Sequence, residues 1–323
     1  MVAAMQKGPR PMVAAMQDHM LDAVLPLTLA DLARFRILAR SIEANFADLE
    51  RCWVVVPDAQ VDPMQIAMPH ERFVVVAETE IVPELAGSKA KGWYKQQLIK
   101  LAMADHVASD YYLLFDADVI CARPIRGHDL FRNGKSLCHR YRNANHANWY
   151  RWAERVLEMP RSGWVHGVTP TILCREAVRE LAAHLNRQQP RPSGFWPKLW
   201  ARTPEWAGGP RAWQSDRDDA GRWRRVLLDS IPWTEYALYF TFLEATGRFE
   251  RYHTPALRSL CGDCIWRNDN FAAWDPTLPR PYRQPPFIVV QSIAKIPPEL
   301  ILERIEPLLR GDRHTAGPQR ISA

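Results

Sequence analysis

The chain has 323 residues, 47% of them hydrophobic, so it can bury a substantial core in one large domain or two small ones. Its 42 lysines and arginines exceed its 36 aspartates and glutamates, which gives a formal net charge of +6. Such a mild excess suits an anionic ligand or a membrane surface. The sequence has no dense basic block and no known reader motif, which argues against a nucleic-acid-binding protein.

The sequence also lacks the signals of a membrane-spanning or secreted protein. No apolar run reaches the roughly 18 to 20 residues that cross a bilayer, and residues 1–20 lack the long apolar stretch of a secretory signal. We therefore expect a cytoplasmic protein, with peripheral association at the inner face of the membrane as an open alternative. Residues 1–20 contain a short duplication, Met1–Gln6 and Met12–Gln17, and together with 311–323 they are expected to form disordered tails.

Strands and helices alternate in the first third of the chain. Short apolar runs bounded by turn residues predict strands, and apolar residues at near-helical spacing predict helices. The predicted order is strand 21–27, helix 30–45, strands 51–57 and 72–77, helix 92–106 and a strand that ends at Asp116. This order is typical of an α/β fold with a mostly parallel sheet covered by helices. We therefore expect residues 21–118 to form a nucleotide-binding half.

The rest of the chain has a less regular pattern. Residues 188–210 are rich in Pro, Gly and Trp, which predicts a long loop. No linker separates the two halves, so we expect a single composite domain over 21–310. The predicted strands are 122–125, 136–139, 165–173 and 286–291, and the predicted helices are 149–157, 176–185, 214–228, 234–246 and 298–309.

The most informative feature is a pair of carboxylates at the end of the predicted strand Tyr111-Tyr-Leu-Leu-Phe. Asp116 and Asp118 follow this apolar run with one small residue between them. Ligands of open α/β sheets bind beyond the carboxyl ends of strands, and two acids there can hold a divalent cation, which in turn can hold a diphosphate. A second Asp-x-Asp pattern occurs in Asp216-Arg-Asp-Asp219. It follows no predicted strand and is interpreted as a solvated charge cluster.

The strand and its acidic pair resemble those of GT-A glycosyltransferases, and more closely those of an uncharacterised bacterial group linked to surface polysaccharides. The resemblance covers residues 21–309 and implies a GT-A-like mixed, mostly parallel sheet flanked by helices. It also implies transfer of a sugar from a nucleotide-sugar donor to a saccharide or glycan acceptor, with 119–310 as the acceptor half. The other blocks that carry it are Gly92-Trp-Tyr-Lys-Gln-Gln-Leu-Ile-Lys-Leu101, His166-Gly-Val-Thr-Pro-Thr-Ile172, Trp233-Thr-Glu-Tyr-Ala-Leu-Tyr239 and Val289-Val-Gln-Ser292.

The same resemblance implies a metal site. Asp118 would ligate Mn²⁺ or Mg²⁺, and Asp116 would contact the ribose, or the metal through water, because hard cations favour oxygen ligands. The cation would stabilise the departing nucleoside diphosphate as a Lewis acid. In galactosyltransferase and glycogenin-like families a late strand ends in a His ligand. This sequence has Gln291 at that point, and its carbonyl oxygen would be a weaker ligand.

Further contacts with the donor are expected on the helix before the acidic pair. Trp93, Gln97 and Lys100 are spaced at i, i+4 and i+7, so they share one helix face that could cover the nucleotide. Lys95 or Lys100 could then pair with phosphate, and the alternative is a packed helix with solvated lysines. Lys295, which follows the last predicted strand, could likewise meet a phosphate or be a surface lysine.

Two residues are candidates for the catalytic step. Glu235 would be the general base of an inverting transferase. A retaining enzyme would not need that base, and Glu235 could simply lie in the first turn of a helix capped by Thr234. His166 would correspond to the donor-sugar region, where Gly167 would let a ligand approach the backbone. The alternative for His166 is a structural role.

The sequence leaves three alternatives open. Cys261-Gly-Asp-Cys264 has the spacing of a zinc or redox pair, but no second pair supplies the other zinc ligands, and simple burial of the thiols is the alternative. His253 is the nearest additional candidate ligand. The protein could also be a non-catalytic nucleotide- or carbohydrate-binding protein on the same fold. A phosphatase of the haloacid dehalogenase type is disfavoured, because such enzymes place the acidic pair at their first strand.

Overall fold

The computed structural model describes residues 21–142, 147–167, 169–188, 221–278 and 285–310. Several segments discussed above lie outside the described residues. They are the predicted tails at 1–20 and 311–323, nearly all of the loop 188–210, and the second Asp-x-Asp pattern at 216–219. The described strands are β1 (Leu21–Pro26), β2 (Leu49–Val56), β3 (Phe73–Ala77), β4 (Tyr111–Leu114), β5 (Val119–Cys121), β6 (Phe131–Arg132), β7 (Lys135–Cys138), β8 (Arg140–Tyr141), β9 (Val165–His166), β10 (Thr171–Cys174), β11 (His253–Pro255) and β12 (Phe287–Val289). The described α-helices are α1 (Leu32–Asn45), α2 (Val61–Ala67), α3 (Glu78–Ile81), α4 (Gly92–Ala102), α5 (Ala147–Leu157), α6 (Arg175–Arg187), α7 (Arg222–Asp229), α8 (Glu235–Ala245), α9 (Phe249–Tyr252) and α10 (Pro298–Arg310).

A five-stranded sheet in the order β10-β4-β1-β2-β3 forms the centre of the fold. The strand β1 pairs in parallel with both β2 and β4, and β2 pairs in parallel with β3. The edge strand β10 is antiparallel to β4. The predicted fold class, a mixed but mostly parallel sheet flanked by helices, is therefore confirmed.

Both faces of this sheet are covered by apolar side chains. Val24 of β1 belongs to a cluster that includes Leu98 of α4, whereas its neighbour Leu25 belongs to a second cluster with Phe35 of α1. Successive residues of a strand point to opposite faces, so β1 contributes to both clusters and is buried along its whole length. This double burial explains why the strands appear in the sequence as continuous apolar runs rather than as alternating patterns.

The differences between the prediction and the structure include one unpredicted helix and two misplaced strands. The helix α2 was not predicted, because only Met64 among its seven residues is buried and it therefore leaves almost no apolar periodicity. The strand predicted at 122–125 is wrong, since the strand after the acidic pair is β5. The predicted strand 165–173 is two separate strands, β9 and β10, which pair with β8 and β4 respectively.

A second, two-stranded sheet lies beside the acidic pair. β12 pairs antiparallel with β5, with Val289 opposite Val119, and the Val290 N–H donates to the Asp118 carbonyl oxygen at 3.1 Å. The late strand therefore ends next to Asp118, although the paired residues Val119 and Val289 are 170 positions apart in the sequence. This pairing brings the last predicted motif, around Gln291, to the same edge as the acidic pair.

Candidate functional site

Asp116 and Asp118 lie in the short turn between β4 and β5. The Val119 N–H donates to the Asp116 carbonyl oxygen at 3.1 Å, which closes the turn. The Asp116 side chain is 39% exposed, so one carboxylate of the pair faces solvent at the end of a strand that is itself largely buried. This is the position at which ligands of open α/β sheets bind.

Lys100 is the centre of a buried cluster of charged side chains. Its Nζ lies 2.8 Å from Asp116 Oδ1 and 3.1 Å from Glu235 Oε1, and the side chains of Lys100 and Glu235 are 1% and 0% exposed. Burial alone would lower the pKa of Lys100, but the two carboxylates outweigh it and raise the pKa above its ordinary value. The ammonium group therefore stays charged and joins α4 and α8 to the acidic pair.

Gln97 belongs to the same helix face as Lys100. Its Oε1 accepts a hydrogen bond from the Glu235 backbone N–H at 3.3 Å, so both α4 side chains contact the first residue of α8. Thr234 caps α8 as expected, because its Oγ1 accepts from the Ala237 N–H at 3.2 Å. The predicted shared face is thus found for Gln97 and Lys100, and it is directed at a helix start.

Trp93 and Lys95 lie nearer the start of α4. Trp93 is 40% exposed and its ring centroid lies 5.2 Å from that of Trp149 on α5. Lys95 Nζ is 2.8 Å from Glu78 Oε1. Both lysines of this helix therefore have carboxylate partners in the protein, and Trp93 is the predicted donor contact on α4 that presents a substantial exposed area.

Asp118 has one satisfied and one unsatisfied carboxylate oxygen. Oδ2 accepts from the Ser292 N–H at 3.2 Å, whereas Oδ1 is buried and has no hydrogen-bond partner among the described residues. Burial, reinforced by the nearby negative charge of Asp116, raises the pKa of Asp118 from 3.8 to about 6. A buried polar atom without a partner is costly, so this oxygen is a natural ligand for a cation.

The donor atoms at this edge fit a hard divalent cation. Among the described residues no group of three His, Cys, Asp or Glu side chains could hold a metal ion. Asp116 and Asp118 supply carboxylate oxygens, and Gln291 lies between Val290 and Ser292, both of which bond to Asp118 through their N–H groups. Two carboxylates with a neutral amide suit Mg²⁺ or Mn²⁺ when phosphate or water oxygens supply the remaining ligands.

Arg34 and Lys295 are the cationic residues at the late-strand end of the site. The Arg34 guanidinium donates to the carbonyl oxygens of Val290 at 3.1 Å and Ile296 at 3.0 Å, and so fixes the loop between them. Arg34 was not predicted as a site residue, because it is 256 positions from Val290 in the sequence and no local pattern links the two. Lys295 is exposed and has a left-handed backbone conformation, with φ of 53°.

His166 makes its contacts inside the core. Its ring stacks on Phe240 with a centroid distance of 4.2 Å, its Nε2 lies 3.0 Å from Glu244 Oε1, and its backbone N–H donates to the Tyr150 hydroxyl at 2.8 Å. Burial lowers the pKa of His166, although Glu244 opposes the shift. None of these partners belongs to the acidic pair or the Lys100 cluster. The packing is that of a structural histidine, so the catalytic role of His166 stays a prediction without support from its contacts.

Gly167 lines a small pocket together with His139, Thr171 and Phe240. A Cβ added at Gly167 would lie 3.8 Å from the His139 carbonyl oxygen, which is an ordinary contact distance. The fold itself therefore does not require glycine here. The predicted role of Gly167, close approach of a donor to the backbone, stays a prediction.

We expect protonation of His253 to destabilise the fold in mild acid. His253 is 1% exposed, and burial, with the nearby His166, lowers its pKa from 6.5 to about 3. The unfolded chain then binds protons more readily than the folded protein does. The free energy of unfolding therefore falls as the pH drops below 6.5, by up to about 1.4 kcal/mol per pH unit. Urea unfolding of wild type and His253→Gln at pH 7, 6 and 5 checks this, because the variant should lack the part of the loss that His253 causes. The exposed His70→Gln serves as control, and identical pH dependence in all three proteins would contradict the prediction.

The comparisons with known proteins identify a family. A model described as a family of unknown function (DUF6492) matches residues 18–311. The chain belongs to this family. No curated protein matches the sequence. Among the described residues, no helix combines the length and apolar character needed to cross a membrane.

This member of the family is similar in structure to several solved proteins. One is mouse xyloside xylosyltransferase 1 in its apo form, with 11% identity and a TM-score of 0.43 over 85% of this chain and 100% of that chain. Another is the galactosyltransferase LgtC with donor and acceptor sugar analogues, with 14% identity and a TM-score of 0.44 over 92% of this chain and 98% of that chain. A third is glucosyl-3-phosphoglycerate synthase from Mycobacterium tuberculosis with Mn²⁺, uridine diphosphate and phosphoglyceric acid, with 16% identity and a TM-score of 0.30 over 50% of this chain and 57% of that chain.

The TM-scores are all below 0.5 and the identities all below 25%, so the likeness is a distant one in fold. The functional assignment of this family member therefore rests on the residues of its own site.

Proposed function

We propose that this protein is a metal-dependent glycosyltransferase that moves a sugar from a nucleotide-sugar donor to a saccharide or glycan acceptor. The observation that carries the proposal is the acidic pair at the end of β4. Asp116 is partly exposed there, and Asp118 keeps a buried Oδ1 without a partner among the described residues. A hard divalent cation would satisfy that oxygen. The resemblance of the motif blocks supports bacterial surface polysaccharide as the product.

The chain's own residues divide into cation ligands and donor contacts. Asp118 and Asp116 would hold Mn²⁺ or Mg²⁺, with the Gln291 amide oxygen as a neutral ligand. Such a cation, when bound, supplies Lewis-acid stabilisation of the charge on the leaving diphosphate. Trp93 offers an exposed aromatic face on which a base or sugar ring can stack. Gly167 and Lys295 are the other proposed donor contacts. Gln97 and Lys100, which the sequence also predicts as donor contacts, are 3% and 1% exposed and contact Glu235 instead.

We propose that Lys100 and Glu235 act on the donor site through Asp116. Lys100 holds the Asp116 carboxylate in place by a 2.8 Å ion pair, and Glu235 holds Lys100 from the buried side. Glu235 is 0% exposed, so it could accept a proton from a sugar hydroxyl only after losing this arrangement. The geometry therefore favours Glu235 as a positioning residue over the general base that the sequence predicts.

The variant Glu235→Gln separates these two roles. Loss of a general base costs about 100- to 10,000-fold in rate and removes the corresponding limb of the pH–rate profile. For a positioning role we expect a loss of less than about 100-fold, an unchanged profile and unchanged nucleotide affinity. Steady-state kinetics across pH 5 to 9 measures both. Glu78→Gln, which alters the partner of Lys95 on the same helix, should leave all three quantities as in the wild type.

A ligand screen tests the proposed function itself. Melting temperatures are measured with uridine, guanosine and cytidine sugar nucleotides, each with and without Mn²⁺. Because a ligand that binds only the folded state stabilises it, a donor at about 100 times its Kd should add about 2.7 kcal/mol. Donors that stabilise the protein are then incubated with saccharide acceptors, and the released nucleoside diphosphate is measured. An unchanged melting temperature with every donor would contradict the proposed function.

The burial of Glu235 also favours one alternative, a non-catalytic protein that binds sugar nucleotides on the same fold. The same screen distinguishes it. Metal-dependent stabilisation without transfer or hydrolysis would support a binding protein, and stabilisation with turnover would support the transferase. A generic aryl phosphate in parallel tests for a phosphatase, which the structure disfavours because the acidic pair follows the fourth strand along the chain rather than the first.

A further inference from the structure

Cys261 and Cys264 form a pair of thiols in direct contact. Their Sγ atoms are 3.2 Å apart, and both residues are partly exposed. The other four cysteines of the chain are buried, so this pair is set apart both by contact and by access to solvent. They are Cys52, Cys121, Cys138 and Cys174.

The loop between the two cysteines is shaped to bring them together. Asp263 has a left-handed backbone conformation, with φ of 56°, and a Cβ added at Gly262 would lie 2.8 Å from the Pro285 ring. A larger residue at position 262 would therefore force the loop and Pro285 apart. The Cys264 thiol also lies 3.5 Å from the Gly262 carbonyl oxygen, which keeps it turned back over the loop. The loop is thus curled tightly enough to hold both sulfurs on one side.

The loop is attached along one edge of β12. The Gly262 N–H donates to the Phe287 carbonyl oxygen at 3.1 Å, and the Ile265 N–H donates to the Val289 carbonyl oxygen at 2.8 Å. The opposite edge of β12 pairs with β5, which directly follows Asp118. A chemical change in the loop would therefore occur one strand away from the candidate site.

The surroundings of the pair do not complete a zinc site. His253, the nearest additional ligand considered from the sequence, has both ring nitrogens engaged, Nδ1 with the Ser136 hydroxyl and Nε2 with the Tyr239 hydroxyl, each at 2.7 Å. No third Cys, His, Asp or Glu joins the thiols in a metal-binding group within the part of the chain that the structure describes. Structural zinc sites need four protein ligands, so the chemistry left to the pair is that of the thiols themselves.

The two thiols are also inequivalent. The hydrogen bond between the two thiols lowers the pKa of Cys264, even though burial opposes the shift. The same bond raises the pKa of Cys261. A thiolate is the attacking species in disulfide exchange, so Cys264 is the expected nucleophile and Cys261 the resolving thiol.

We propose that Cys261 and Cys264 are a reversible dithiol–disulfide site that is oxidised by exchange with a low-molecular-weight disulfide. The Cys264 thiolate attacks one sulfur of the external disulfide, forms a mixed disulfide and expels the first thiolate. Cys261 then gives up its proton to solvent and attacks Cys264 Sγ, which closes the protein disulfide and expels the second thiolate. The two protein thiols are oxidised, and the external disulfide is reduced to two thiols that take up the two protons. This site does not depend on the proposed sugar transfer.

The test uses the folded full-length protein and mixtures of reduced and oxidised glutathione. After incubation, free thiols are alkylated and the peptides are analysed by mass spectrometry. We expect the 261–264 peptide to resist alkylation and to be about 2 Da lighter, reversibly with added reduced glutathione. The peptides of the four buried cysteines should be alkylated only after denaturation and should show no mass loss.

Two single variants test the assigned order of attack. Cys261→Ser should stop at the mixed disulfide and retain glutathione on Cys264, whereas Cys264→Ser should react at least tenfold more slowly. The proposal is overturned if both thiols of the folded wild type stay fully alkylatable in oxidised glutathione. It is also overturned if the bond forms only in denatured protein. Far-UV circular dichroism of each variant confirms that the comparison is made on folded chains.

Discussion

Replacing Asp118 by asparagine should stabilise the fold at pH 8 and at the same time remove metal-dependent nucleotide binding. The pKa of this buried carboxyl is raised from 3.8 to about 6, so the folded state bears a cost when Asp118 is ionised. Asparagine has nearly the same shape and no charge. From the size of the shift we expect a gain of about 1 to 3 kcal/mol in the free energy of unfolding.

The pH dependence of this gain identifies its origin. Above about pH 6 the wild-type carboxyl is ionised in both states and the folded state carries the full penalty. Below about pH 4 it is protonated in both states and the penalty disappears. The advantage of Asp118→Asn should therefore fade as the pH falls from about 6 to 4. Urea unfolding at several pH values measures it.

The binding effect of the same variant should be large and opposite in sign. Loss of even an outer-shell partner costs about 10- to 100-fold in metal affinity, so loss of a ligand should cost at least about 100-fold. Calorimetry with Mn²⁺ and a uridine nucleotide measures this loss. Asp110→Asn, directly before β4, where the side chain is 85% exposed, should change neither stability nor binding. Retained binding in Asp118→Asn would remove Asp118 from the proposed metal site.

Lys100→Met should be among the most destabilising single changes in the chain. It leaves Glu235 as a carboxylate with 0% exposure and no countercharge, and breaking a buried pair in this way costs about 3 to 5 kcal/mol. The free energy of unfolding from urea titration at pH 8 gives the cost directly. The cost should become smaller in mild acid, because protonation of Glu235 removes the uncompensated charge.

A double-mutant cycle separates the charge from the packing contribution. Adding Glu235→Gln to Lys100→Met removes the stranded charge and should recover at least half of the lost stability. Lys95→Met on the same helix breaks a partly exposed ion pair, with the lysine side chain 21% exposed, and should cost no more than about 1 kcal/mol. Equal losses for Lys100→Met and Lys95→Met would show that the buried cluster has no special importance for the fold.

The sequence predicted the central sheet well, because its strands and helices leave strong local patterns. The strands β1 to β4 and the helices α1 and α4 were located to within a few residues, since burial on both faces produces uninterrupted apolar runs. The same reasoning located Asp116 and Asp118 at the end of a strand. The weakly buried α2 and the short β5 were misjudged, because surface helices and three-residue strands carry little periodicity.

The contacts within the site could not be predicted from local patterns. Lys100 was expected to meet phosphate or solvent, and its two carboxylate partners depend on how α4, α8 and the end of β4 pack together. Glu235 was expected to act as a base, and its complete burial becomes visible only in the folded chain. Arg34 left no signal at all, since its role depends on two backbone carbonyl groups at the other end of the chain.

The ion-pair cluster around Lys100 has a consequence for folding. Its members are Lys100, Asp116 and Glu235, and Lys100 and Glu235 are 135 positions apart in the sequence. Contacts of such sequence separation form late, after the entropy of closing the intervening loop has been lost. A fragment limited to residues 21–118 would contain the acidic pair and Lys100 without Glu235. We therefore expect residues 21–118 not to fold as an autonomous unit, because the ion pairs of Lys100 are complete only when the segment that contains Glu235 has docked.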